Sequence, residues 1–156
     1  MIKKLEDNDV FEAMMLMNKT ITEKKHDAYK KNEYIWIQSF MSLIEEQRKE
    51  NPCVLVIGDY DSNNKLRGFL SASAFVNSYD GKYVMDVRDC IVNHDYKNNA
   101  FVIYRLFDAM INHVKEKGGK YWRADSIRSE QEAFDYGRFL QHRYNAKLHV
   151  SVRGEV

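Results

Sequence analysis

Cysteine is scarce: Cys53 and Cys90 are alone in 156 residues, and both sit inside apolar, strand-like runs. That excludes the even, spaced set of a small disulfide-stapled secreted domain and fits two free buried thiols in a reducing compartment. No apolar run reaches the ~18–20 residues of a membrane-spanning helix. The opening Met1-Ile2-Lys3-Lys4-Leu5-Glu6-Asp7 turns acidic at once and has no signal-peptide core, so a cytoplasmic protein is expected. An excess of one charge is also missing. The 24 basic and 23 acidic residues leave a net +1, which gives no pull toward nucleic acid or an anionic membrane. Lys24-Lys25 and Lys30-Lys31 read as solvated faces. His26, His94, His113, His142 and His149 keep no metal-ligand spacing with one another or with the cysteines, so no metal site is expected. There is no nucleophile elbow, no Walker-type loop, no internal repeat and no low-complexity tract.

What is present is a folded chain's composition, 44 % apolar and 30 % charged, and one domain over residues 1–156 is expected. Asp9 with Glu12 forms a capping-box-like start, followed by Val10, Phe11, Met14, Met17 and Ile21 at helical spacing. Met14, Met15 and Met17 read as flexible core filling. After a polar loop at 22–32, a second helix over 33–49 carries Trp36, Ile37, Phe40, Met41, Leu43 and Ile44 on one stripe, and Asn51-Pro52 stops it. Residues 53–58 are an apolar strand, 59–64 supply turn chemistry, and 66–76 form a second strand in which Gly68 marks a bulge or close approach. Asp80-Gly81 signals a hairpin into a third strand, 83–92.

The pattern then changes period. Phe101, Ile103, Leu106, Phe107, Met110, Ile111 and Val114 predict a helix over 100–117, ended by Gly118-Gly119. Residues 120–125 form a strand parallel to the third, because a helical crossover joins them. Ser129 with Glu132 opens another helix to about Arg143, and 146–152 alternate as a last strand. The order is α-α-β-β-β-α-β-α-β, with an optional first strand at 2–5. Tyr79, Tyr83, Tyr96, Tyr104 and Tyr121 surround the meander and crossover, a set that suits protein contacts.

This order resembles the GNAT acyltransferase superfamily over almost the whole chain. Asp89-Cys90-Ile91-Val92-Asn93-His94-Asp95-Tyr96-Lys97 looks like the family's strand leading into its Arg/Gln-x-x-Gly-x-Gly/Ala loop, and residues 132–146 look like its last helix and turn. The resemblance implies an α/β (α+β) fold, a mixed and mainly antiparallel central sheet with helices on both faces. It also implies acetyl-CoA as co-substrate and an amine acceptor. In the family, amides of the loop and of the next helix's first turn bind the pyrophosphate, helped by the helix dipole. Here Lys97, Asn98, Asn99, Ala100, Phe101 and Val102 take those places. Lys97 stands for the leading Arg, Asn98 and Asn99 tolerate left-handed backbone angles, Ala100 fills one small position, and Phe101 and Val102 crowd the other. The backbone at Ile91 and Val92 would align the pantetheine.

Amine acylation needs a base for the incoming ammonium and an acid for the leaving thiolate. Asp86 and Asp89 are the carboxylates on the third strand. Their odd separation puts them on opposite faces, with Asp89 beside Val87 and Ile91, where burial would raise its pKa. Asp89 is the candidate base; the competing reading is an acid paired with Arg88 or Arg123. His94-Asp95 is a weaker proton-transfer pair. The family's acid is a tyrosine five residues before the aromatic of the last turn. If Tyr144 is that aromatic, Phe139 stands there and has no proton to give, which leaves Tyr136 one turn earlier. The loop's missing glycines open a second reading: a non-catalytic GNAT-shaped interaction or structural module with a protein partner, for example a virion component of a tailed phage. An oligomer is compatible with either reading.

Overall fold

The computed structural model describes residues 1–23, 33–96, 98–124 and 130–147. The structure divides into two compact units, Met1–Asp125 and Ser126–Val156. The first holds β1 (Ile2–Lys4), a 3-10 turn (Asp7–Asp9), α1 (Val10–Glu23), α2 (Glu33–Gln47), β2 (Val54–Tyr60), β3 (Leu66–Val76), β4 (Tyr83–Val92), α3 (Asn99–Glu116) and β5 (Tyr121–Ala124). The second holds α4 (Glu130–Tyr144). The expected last strand is outside the described residues from position 148 on, and Ala146 and Lys147 are not in a strand. Ser129 of the second capping box and most of the polar loop at 22–32 also lie outside them. No helix among the described residues is long and apolar enough to cross a membrane.

The five strands lie in sequence order, antiparallel throughout except for the parallel β4–β5 pair. One face of the sheet packs against the first two helices. Val10, Ala13, Leu16 and Met17 of α1 and Phe40 and Ile44 of α2 close over Val56, Tyr60, Leu66 and Phe69. Trp36 stacks on Phe40 at 4.6 Å, and Phe40 meets Phe69 edge-on at 5.3 Å, geometries that add to the burial of their area. α3 covers the other face through Val102, Leu106, Phe107, Met110 and Val114, all buried, and Phe107 meets Trp122 of β5 at 5.3 Å. Gly118, at φ +73°, ends α3 as the sequence predicts.

Three local expectations change. The capping box lies one turn early: the Glu6 amide donates to Asp9 Oδ2 at 2.9 Å. Glu12, the expected partner of Asp9, instead accepts the Leu66 amide at 3.0 Å. Of the methionines, Met17 is buried while Met15 is 54 % exposed. Asp59 and Tyr60, read as turn, continue β2 and are fully buried. Asp59 can sit there because Arg67 reaches it at 2.8 Å and Arg105 at 3.2 Å, and a buried carboxylate needs such partners.

Candidate functional site

β4 carries the site, and its middle departs from regular pairing. Asp89 lies opposite Ser71 while Val87 lies opposite Ala72, so Arg88 is an extra residue with no position of its own on β3. Such a bulge reverses the in–out alternation beyond it. Asp86 pairs with Ser73 and Asp89 with Ser71, and positions i and i+2 of β3 share a face. Asp86 and Asp89 therefore share a face, contrary to the expectation from their odd spacing. Val87 is on the other side, and Asp89 keeps only Ile91 from its predicted neighbours. That shared face is the one under α1 and α2, where Phe69 and Ile91 lie.

Among the described residues Asp89 is in no arginine ion pair. Arg123 donates to Asp86 Oδ2 at 2.8 Å, while Ser71 Oγ donates to Asp89 Oδ2 at 2.6 Å. Burial pushes the Asp89 carboxyl above its ordinary value; the Ser71 bond and the charge of Arg88 act in the opposite direction. A half-buried acid that burial pushes upward and that is tied to a neutral donor is suited to taking a proton.

The same strand presents an open edge. β5 pairs with β4 only from Val84 to Val87, and beyond that point no strand lies on this side of β4 among the described residues. The Asn93 amide donates to Arg67 O at 2.8 Å, which makes Val92 and Gly68 a non-hydrogen-bonded pair. The N–H and C=O of Val92, and by alternation those of Cys90, thus point to the open edge. Ile91, expected to share that role, turns its backbone toward β3 and its side chain toward the α1–α2 core.

Next along the chain is the loop into α3. Lys97 lies outside the described residues. Asn98 caps α3 at φ −123°, and Asn99 is not among the non-glycine positive-φ residues of the described chain, Asn64 and Asn145. The left-handed angles expected of Asn98 and Asn99 are therefore not used. The Phe101 and Val102 amides return to Asn98 O at 3.0 and 3.4 Å. Val102 does not crowd the loop: it is 2 % exposed, and its Cγ1 lies 2.9 Å from where a side chain on Gly68 would begin. Phe101 is exposed beside the Arg105 guanidinium, 5.7 Å away, and Ala100 is exposed at the helix start. His94 and Asp95 are not a pair. His94 Nδ1 is 3.3 Å from Asn99 Nδ2, and Asp95 bonds Lys19 of α1. Tyr136 lies on α4 in the second unit.

The sequence matches no protein-family model and no curated protein. Solved structures do match, over the whole chain. A ribosomal-protein-alanine N-acetyltransferase from Brucella melitensis biovar Abortus 2308 superposes with TM-score 0.69 at 15 % identity, covering 100 % of this chain and 99 % of that one. The aminoglycoside 6'-N-acetyltransferase AAC(6')-IG from Acinetobacter haemolyticus gives 0.70 at 14 % over the same shares. A protein described as a transcriptional regulator from Bacillus halodurans C-125 gives 0.76 at 13 %, again over 100 % and 99 %. The chain has the GNAT fold. At these identities the likeness carries the architecture alone; the β4 bulge, its edge and the start of α3 are read from this chain's own residues. Sequence reasoning passed over Ser71, although Ser71 and Ser73 were polar positions at i and i+2 in an otherwise apolar strand.

Proposed function

We propose that the chain transfers an acetyl group from acetyl-CoA to an amine, with Asp89 as the base. The observation that carries this reading is the half-buried Asp89 carboxyl, raised by burial and held by Ser71, on the strand whose backbone opens to one side just beyond it. The N–H and C=O of Val92, which face that edge, suit an amide of pantetheine, as an added strand would. The first turn of the 18-residue α3 offers amides and the positive end of its dipole to a pyrophosphate, with Asn98, Asn99 and Ala100 at that end and Lys97 as the sequence's candidate phosphate contact. Bound acetyl-CoA supplies the acyl carbon and a thiolate leaving group. Asp89 removes one proton from the acceptor ammonium, freeing the lone pair that attacks the thioester carbonyl; as the C–S bond breaks, the new amide nitrogen releases its second proton, which balances the one taken up by the thiolate. The thiolate takes its proton from an acid, for which Tyr136 is the sequence candidate. Two of the structural relatives are named as acetyltransferases of amines, which supports the reading. One named as a transcriptional regulator keeps the non-catalytic module as the alternative.

Calorimetry with acetyl-CoA decides between them. Binding at 100 times Kd should add about 2.7 kcal/mol of stability, visible as a rise in Tm. Silence at millimolar acetyl-CoA would sink the transferase and leave the interaction module. Given binding, Asp89→Asn should cut turnover of a short peptide with a free N-terminal alanine, or of sisomicin, by about 10²–10⁴ while leaving the acetyl-CoA affinity intact. Unchanged turnover removes Asp89 from the chemistry.

A further inference from the structure

We propose that Ser71 is a positioning residue for Asp89: its hydroxyl occupies Oδ2, fixes the carboxyl's orientation, and leaves Oδ1 as the oxygen that takes the proton. The inference rests on Asp89 acting as base. Ser71 is fully buried, so no water competes for its hydroxyl, and the 2.6 Å bond has the length of a charge-assisted O–H···O contact. The bulge at Arg88 is what sets the two side chains opposite each other across β3 and β4. A serine has only one rotatable bond before its oxygen, so the strand backbone limits the donor to three staggered positions, and in the structure its hydroxyl meets Asp89 Oδ2.

Few other charges compete for this carboxyl among the described residues. On β4, Arg88 is adjacent and Asp86 shares the face, but Asp86 is tied to Arg123 of β5. From α1, Glu12 holds the Leu66 amide and Lys19 pairs with Asp95. β3 opposes Asp89 with Ser71 and, next on that face, Ser73, both uncharged. The donated bond favours the ionised carboxyl, in opposition to burial, so Ser71 tunes the base as well as aiming it.

The test compares the full chain with Ser71→Ala and Ser71→Thr by carbon NMR titration of the Asp89 carboxyl and by the pH–rate profile of CoA-thiol release. The probes are acetyl-CoA and the alanine-initiated peptide. Hydrogen bonds to a charged group contribute about 1.5–3 kcal/mol, equivalent to about one to two pH units. Ser71→Ala should therefore move the Asp89 midpoint and the acidic limb of the rate profile up together by that amount, and Ser71→Thr, which keeps the hydroxyl, should bring both back toward the parent. An unmoved NMR midpoint in Ser71→Ala overturns the proposal, as does a Thr variant that folds and behaves like Ala. A midpoint that moves in a protein with no acetyl transfer upholds the hold of Ser71 on Asp89 and sinks the transferase reading instead.

Discussion

At the scale of single residues, Asp89 works against the fold whenever it is ionised. Burial leads the causes that raise its carboxyl, so the folded chain holds that proton more tightly than the unfolded chain does. Stability is then greatest below the ordinary carboxylate range and declines as pH climbs from there through the raised value. Asp89→Asn keeps the shape and the acceptor for Ser71 but cannot ionise. It should melt above the parent at neutral pH, with the gap closing below about pH 4, where both forms are neutral. Thermal melts of the two proteins at both pH values check this, and identical curves at neutral pH would mean that ionising Asp89 costs the fold nothing. The choice of Asp89 as an acid near apolar neighbours was legible in the sequence. Its face was not, because strict alternation fails at Arg88 and nothing in the local string Asp86-Val87-Arg88-Asp89 marks an extra residue. Only pairing with β3 reveals it.

Elements were easier to read than their ends. The helical stripes of α1, α2 and α3 and the parallel crossover to β5 follow from periodicity and from the length of the connection. Ends depend on distant partners: Glu12 left its capping box for an amide 54 residues away, and β2 ran on through Asp59 because two arginines on other elements neutralise it. Gly68 was marked as a close approach for the right reason. A Cβ there would meet Ile91 O at 2.8 Å, Val102 Cγ1 at 2.9 Å and Val92 Cγ1 at 3.0 Å, and the nearest is backbone, which cannot rotate away. Gly68→Ala should cost about 1–3 kcal/mol in a urea melt. It should also weaken acetyl-CoA binding, since β4 and the first turn of α3 must separate to admit the methyl. A melt within 0.5 kcal/mol of the parent, roughly the scatter of surface substitutions, would mean that β3, β4 and α3 are looser here than the contacts imply. Phe107→Ala tests the middle of the same helix. With its ring fully buried against Trp122, the loss should be about 3–5 kcal/mol.

Across the first unit as a whole, the sheet and α3 are tied by one charge that the sequence hid among turn residues. Asp59 is fully buried on β2, with Arg67 of β3 at 2.8 Å and Arg105 of α3 at 3.2 Å, and the Arg67 Nε is buried with no partner of its own. The backbone of the same Arg67 accepts the Asn93 amide where β4 leaves the sheet. One carboxylate thus connects the sheet's β1 side to the entry of the loop that precedes α3. Removing it leaves a guanidinium largely shut from water and uncompensated, so Asp59→Ala should lose about 3–5 kcal/mol of unfolding free energy. Arg105→Ala should lose less, because Arg67 still faces the carboxylate. The two losses should not add in the double variant, since both remove the same interaction. Urea unfolding of the three variants at low and at high salt gives the comparison; the Asp59 loss should persist at high salt because the group is shielded from counterions. Additive losses that vanish with salt would instead describe a surface ion pair, and the tie between sheet, loop and α3 would have to come from apolar packing alone.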